Sequence, residues 1–316
     1  MSEMQREVVV RDVTVPAPAE TVYAIVADLS SWPQFHPWAV HAEVCRRDIS
    51  GTLVQHWALT DRAAVRTWRA RWRFDPAVRR IRFTHETPPA PLRSLEGEWT
   101  FDDKPGGTCQ VTLRHTMTYL PGERDQVRDL ALAIERNTQE LLETARDTAT
   151  RWEELRSLVL SFEDRVFIAG SVHDVYSFLY EAGAWPDRIP HVSRLVLEEP
   201  SPGIQFFDMD TKAPDGSTHS TRSVRVCRPH HLIVYKQTVL PALLDAHTGH
   251  WSFLETPEGV LASARHTVTI KRSALGLLGD TATVSDARRY LRRALSIHSV
   301  RNLNLAKDHA EEPVGV

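Results

Sequence analysis

The chain has 316 residues, 25% of them charged and 42% hydrophobic, which suits two domains of about 150 residues and excludes wholesale disorder. Its 38 basic and 41 acidic residues leave a net charge of −3, so a polyanion-binding surface, and with it a nucleic-acid partner, is disfavoured. No apolar run reaches the roughly 18 residues of a membrane span, no hydrophobic N-terminal stretch precedes a cleavage site, and Cys45, Cys109 and Cys227 lack paired spacing. The expectation is a cytoplasmic protein without membrane contact, zinc knuckle or disulfide framework.

In chain order, a strand over residues 8–15 runs into a short amphipathic helix over 19–27, and the Trp32-Pro33 pair is read as ending that helical region. Alternating segments at 53–59, 64–74, 81–86, 97–101 and 109–119 read as strands, with a hairpin turn at Lys104-Pro105-Gly106-Gly107. From Val127, apolar or small residues recur at 130, 134, 138, 141, 145, 148, 152, 155 and 159, the steps of three and four that mark one helical stripe. No Pro/Gly/Ser-rich spacer follows, so this helix is expected to run on as the linker.

The plan then repeats. VPAPAETVYAIVADLSSWPQFHP (15–37) aligns with IAGSVHDVYSFLYEAGAWPDRIP (168–190), matching Tyr23 to Tyr176, Trp32 to Trp185, Pro33 to Pro186 and Pro37 to Pro190. GEWTF (97–101) matches GHWSF (249–253), and RHTMT (114–118) matches RHTVT (265–269). Three blocks in the same order at offsets of 151–153 make a domain duplication, with a first domain over 1–157 and a second over 158–316. The second copy begins with a strand at 164–168 and a helix at 172–180, and closes on a helix over 286–310. The predicted class is α+β: two tandem helix-grip domains, each a curved antiparallel sheet around a long C-terminal helix. One helix cannot fill the concave face of a six- or seven-stranded sheet, so each copy is expected to enclose a cavity.

Period-two alternation assigns the faces. Arg66, Trp68, Ala70, Trp72 and Phe74 form the inward set of their strand, leaving Arg69, Arg71 and Arg73 to solvent. Leu53, Gln55, Trp57 and Leu59 are read as inward, as are His115 with Val111, Leu113, Met117 and Tyr119, and His266 in the second copy. Seven of nine tryptophans lie in the first copy. Trp32 and Trp99 have counterparts in Trp185 and Trp251 and suit scaffold positions. Trp38, Trp57, Trp68 and Trp72 have none and suit a wall for a planar, oxygen-bearing ligand, with core filling as the other reading. Gln55 and Asn137, the latter on the long helix, are candidates for orienting carbonyls or a water; a helix–strand hydrogen bond is the plainer use of Asn137.

The duplication, the Trp-Pro pair, the tryptophan strand, the Gly-Gly-Thr hairpin and the segments YKQ (235–237) and HTGHW (247–251) resemble the bacterial aromatic polyketide aromatase/cyclases, in their di-domain subgroup with START/Bet v1-like folds. The resemblance covers almost the whole chain. It implies action on a poly-β-ketone tethered to an acyl carrier protein, with ketoreductase and minimal synthase components as possible neighbours. It implies closure of the first ring by intramolecular aldol condensation, carbon 7 to carbon 12 on a chain reduced at carbon 9, and dehydration to an aromatic ring. Single-domain relatives carry an arginine further along the third strand, where Trp72 stands here. Either Arg66 takes that part, or the register shifts and Arg69 or Arg71 points inward.

Preorganising a floppy chain is the main catalytic service. Arg66 stays protonated, so it can hold a ketone or enolate oxygen but cannot act as base. His115 is the natural proton shuttle, or else a satisfied core histidine like His266. The expected catalytic residues are therefore Arg66 and His115, with Trp32, Trp38, Gln55, Trp57, Trp68, Trp72, Trp99 and Asn137 binding substrate. His247 and His250 fall on opposite strand faces, so no metal is expected, and no cofactor motif is present. The second copy reads as structural or docking, with a second active site as the rival. The competing reading of the whole protein is a START-like carrier of a hydrophobic ligand that performs no chemistry.

Overall fold

Alternating segments rich in β-branched and aromatic residues pair, in the computed structural model, into two seven-stranded antiparallel sheets. Residues 3–61, 64–212 and 218–312 are described. The chain divides after Leu155 into two units.

The first unit consists of β1 (Gln5–Val15), α1 (Ala19–Ala27), α2 (Trp32–Phe35), β2 (Ala39–Asp48), β3 (Gly51–Asp61), β4 (Ala64–Asp75), β5 (Arg80–His85), β6 (Ser94–Lys104), β7 (Thr108–Tyr119) and α3 (Arg124–Thr150). Its strands lie in the order β1-β7-β6-β5-β4-β3-β2, a meander whose first and last strands are neighbours. α4 (Trp152–Leu158) leads into the second unit. There β8 (Val159–Ile168), α5 (Val172–Tyr180), α6 (Trp185–Arg188), β9 (Val192–Ser201), β10 (Ile204–Lys212), β11 (Thr218–Arg228), β12 (Leu232–Val239), β13 (Leu244–Thr256), β14 (Gly259–Ile270) and α7 (Val284–Glu311) repeat the plan. The order β8-β14-β13-β12-β11-β10-β9 is the same.

Two expectations are corrected. Trp32-Pro33 does not end a helix. It opens the short α2, where proline in the first turn forfeits no helical hydrogen bond. The long helix is also not continuous through the boundary: α3 stops at Thr150, and α4 hands over to β8 without a spacer. The strand β2 was not anticipated, because AVHAEVCRRD lacks a clean two-residue period.

The α3 stripe is buried at Val127, Thr138, Leu141, Leu142, Ala145, Thr148 and Ala149, where it packs over the sheet. Its apolar face joins Val54, Ala70, Trp72, Ile81, Trp99, Phe101, Val111 and Leu113 in one core. Each unit also ties its first strand to its long helix with an ion pair, and the polarity is reversed between them. Arg11 of β1 meets Glu135 of α3, whereas Asp164 of β8 accepts two bonds from Arg292 of α7, at 2.8 and 3.0 Å. The β6–β7 hairpin turns on Gly106 and Gly107 at φ of 81° and 73°, a left-handed conformation that side chains resist.

Candidate active site

On β4 the sequence alternation holds. The Arg66 guanidinium lies 4.9 Å from the Trp68 ring centre, so the two share one face. Arg69, Arg71 and Arg73 occupy the other, bonding Gln55, Ser50 and the Ser50 carbonyl. Arg66 has no carboxylate partner among the described residues. It is exposed, although the protein around it removes part of its hydration and lowers its pKa from the ordinary arginine value. It is a cation without a counter-charge, facing the same side as the tryptophans.

On β3 the expected face is reversed. The His56 ring stacks on Trp68 at 5.1 Å, and its Nε2 accepts the Trp72 indole N–H at 3.0 Å. Val54, in the core, and His56 therefore point inward. Gln55 lies on the opposite side, donating to the Trp68 carbonyl and accepting from Arg69. Trp57 stacks with His41 at 5.3 Å on that same outer side. The outer face of β3 carries Leu53, Trp57 and Leu59 against Val54 and Ala58 on the inner one, and Trp57 is itself buried, so hydrophobic count favoured the wrong face. Gln55 and Trp57 are accordingly removed from the substrate wall.

The remaining tryptophans divide by role. Trp32 donates its indole N–H to the Val26 carbonyl at 3.1 Å and packs edge-on against Trp38 and Trp72. Its repeat partner Trp185 does likewise with the Phe178 carbonyl, at 3.4 Å. Trp99 is 1% exposed and stacked on Phe101, deep in the core. Trp38 and Trp68 are only half-buried.

His115 projects inward from β7 and meets the edge of Phe83 at 5.6 Å. Thr138 of α3 donates its hydroxyl proton to the Ile134 carbonyl at 2.6 Å, so toward His115 Nδ1, 3.1 Å away, the same oxygen accepts. That fixes the tautomer: His115 carries its proton on Nδ1, leaving the Nε2 lone pair without a protein partner among the described residues. Burial lowers the His115 pKa to about 4, so the ring is neutral around neutrality and its Nε2 lone pair is available to a proton. Asn137, one position along, is exposed on α3. The helix–strand bond assigned to it belongs to Thr138.

Two histidines of this face were missed. His85 of β5 stacks on Trp68 at 6.3 Å, opposite His56, and its Nδ1 is buried without a partner among the described residues. Burial and then the Arg66 charge lower its pKa to about 4, and burial lowers His56 to about 3. Arg66, His85, His56 and His115 thus line one wall as a single cation among neutral imidazoles. Such a wall can hold an enolate oxygen and take a proton from a neighbouring carbon.

Comparison with known proteins is consistent with this geometry. Residues 15–125 match the family model described as polyketide cyclase/dehydrase and lipid transport. The chain is 36% identical, over 95% of its length and 93% of the relative's, to the granaticin polyketide synthase bifunctional cyclase/dehydratase of Streptomyces violaceoruber. It is 34% identical, over 97% and 98%, to the actinorhodin counterpart of Streptomyces coelicolor.

The chain belongs to the polyketide cyclase/dehydratase family.

Among solved structures it resembles the di-domain ARO/CYC StfQ from the steffimycin pathway (50% identity, 98% of this chain and 100% of that one, TM-score 0.87). The di-domain ARO/CYC BexL from the BE-7585A pathway is also similar, at 39% identity over 97% and 99%, with a TM-score of 0.86. This cyclase/dehydratase therefore has the START/Bet v1-like fold in two copies. No helix among its described residues is long and apolar enough to cross a membrane. Its two copies differ at the wall: by the repeat offset, Trp72 and Phe83 of the first unit become Arg225 and Tyr235 in the second.

Proposed function

We propose that the first unit folds a carrier-protein-bound poly-β-ketone reduced at carbon 9, joins carbon 7 to carbon 12 by aldol condensation, and dehydrates the ring to an aromatic one. The acyl carrier protein is the partner that presents the chain, with ketoreductase and minimal synthase upstream in a cytoplasmic pathway.

The observation that carries this reading is the unpaired Arg66 guanidinium laid over Trp68 beside His85. An apolar-ligand carrier gains nothing from an uncompensated cation on the face of its tryptophans, whereas enolate chemistry does. Nε2 of His115 removes a proton from a methylene flanked by two carbonyls, and Arg66 holds the resulting enolate oxygen. The enolate carbon attacks the ketone across the fold, and the new alkoxide takes the proton back from His115. In the dehydration, Nε2 accepts a ring proton and returns it to the departing hydroxyl, which leaves as water. Trp38 and Trp68, both half-buried, supply the flat surface along which the chain lies, whereas Trp72 is buried in the core and holds His56 in place.

Reconstitution with minimal synthase and ketoreductase on 13C-labelled acetate tests the assignment. The expected product carries an aromatic first ring with carbons 7 and 12 joined, and forms only when this protein is present. An unchanged mixture of shunt products would support the carrier reading instead.

A further inference from the structure

The two units treat one edge of their sheets differently. β1 and β8 each lie at the end of a sheet, so among the described residues one side of each has no strand beside it. On β8 that side is covered. Arg288 of α7 donates to the Val159 carbonyl at 2.7 Å, Lys307 donates to the Phe167 carbonyl at 3.3 Å, and Arg292 reaches across to Asp164. The buried stripes of the two long helices align Thr138 with Ser299, Leu142 with Leu303 and Ala145 with Ala306. The same alignment sets Val127 and Ala131 of α3 where Arg288 and Arg292 stand on α7. Short side chains thus replace two long ones, and a groove of about 700 Å³ lies open between β1 and α3. Val8, Val9 and Val10 line one side of it and Val127, Ala131 and Leu132 the other. Val8 is 39% exposed and Leu132 48%.

An open edge is a template for another strand, and proteins usually blunt it with bulges or misplaced charge. β1 instead pairs with β7 without a bulge from Gln5 to Val15, and its charges follow an order that fits a second β1. Residues 6–12 read REVVVRD. Laid antiparallel on a copy of itself about Val9, this segment sets Arg6 against Asp12, Glu7 against Arg11 and Val8 against Val10, and the two-fold axis repeats each pair. The hydrogen-bonding phase agrees. Arg11 donates to the Val10 carbonyl at 2.8 Å, and the covered carbonyls of Val159 and Phe167 match residues 6 and 14 by the repeat, so even-numbered residues of β1 face the free side. Arg6 with Asp12 and Val8 with Val10 are then the pairs that exchange backbone bonds, and Val9 meets its copy as a non-bonded pair. The matched segment of β8, VLSFEDR, lacks this order: the same operation sets Leu160 against Asp164 and Ser161 against Glu163.

We propose that β1 is a docking edge for a second copy of this chain, and that two first units join antiparallel through it into one continuous sheet. Self-complementary charge selects a second copy as the occupant, because each Arg and each acid of the segment finds its opposite only in the same sequence reversed. Arg11 gives up the Val10 carbonyl to the incoming strand and shares its guanidinium between Glu135 and the incoming Glu7. The exposed Val8 and Leu132 are covered in the process. A two-fold contact uses the same edge of both copies and closes on itself, so it ends at a dimer. The interface is argued from the first unit alone and does not depend on which reaction that unit performs.

Sedimentation velocity of the full chain, over a concentration series reaching about 100 µM, tests it. The native chain is expected to sediment as a dimer at the upper end of the series. Arg6→Asp sets two acids together at both ends of the pairing and should weaken association about tenfold. Arg6→Asp combined with Asp12→Arg restores the charge order in reverse and should recover the native affinity. Val8→Pro removes an N–H that points to the free side, so it spares the ladder with β7 while blocking the incoming strand, and this chain should stay monomeric. Thermal melts confirm that each variant is folded. A native chain that is monomeric throughout, or a dimer equally tight in folded Arg6→Asp and Val8→Pro chains, would overturn the proposal. So would a charge-swapped chain that associates no better than Arg6→Asp.

Discussion

Replacing Thr138 by valine removes one hydroxyl and almost no volume, which isolates the tautomer argument for His115. In the native chain the Thr138 hydroxyl donates a hydrogen bond to the Ile134 carbonyl and accepts one from the His115 Nδ1–H. In Thr138→Val that N–H loses its acceptor inside the core, at a cost of about 1–3 kcal/mol for an unsatisfied buried donor. The ring can escape the cost by moving its proton to Nε2, and doing so blocks the base. Stability by urea unfolding should therefore fall by no more than about 2 kcal/mol, while turnover falls about tenfold to a hundredfold. Thr138→Ser, which retains the hydroxyl, should recover most of the activity. A folded Thr138→Val protein with full turnover would refute the role given to Nε2 of His115.

The buried histidines make stability acid-sensitive. His56, His85 and His115 have folded-state pKa values of about 3, 4 and 4, below the ordinary 6.5 of the unfolded chain. Their stabilisation is complete above about pH 6.5 and is lost as pH falls toward 4, and toward 3 for His56, each fully shifted group contributing up to about 3–5 kcal/mol. Urea midpoints measured from pH 7 to pH 5 should fall, and a flat profile would contradict the burial. Gly97→Ala places a Cβ 2.0 Å from the Phe83 ring and should destabilise by about 2 kcal/mol, with Phe83→Leu in the same chain returning part of the loss. The corrected β3 face predicts a contrast in product yield: Gln55→Met leaves it unchanged, and His56→Leu lowers it about tenfold by unsettling Trp68 and Trp72.

The duplication made the architecture legible, since repeated blocks fix two copies of one plan before any element is drawn. On β4 and β7 one face is plainly apolar, and there alternation placed Arg66 and His115 correctly on the inner side. On β3 it failed because the larger apolar residues, Leu53, Trp57 and Leu59, lie on the outer side, where Trp57 is itself buried. Neutral histidine compounded the error: His56 and His85 count as polar in a pattern, yet here they stack as aromatic rings against Trp68. The Asn137 assignment was one residue out, although the helical stripe already ran through 138. Side-chain chemistry outweighed periodicity there, because an amide looks more functional than a threonine.

The most direct measurement of the central claim is product analysis of the reconstituted pathway with Arg66→Met, a chain that keeps the stem of the side chain on Trp68 and loses only the charge. A folded Arg66→Met protein should lose the aromatised first-ring product and return the mixture made without the protein. The same aromatic product at the native yield would contradict the assignment of Arg66 as the group that holds the enolate.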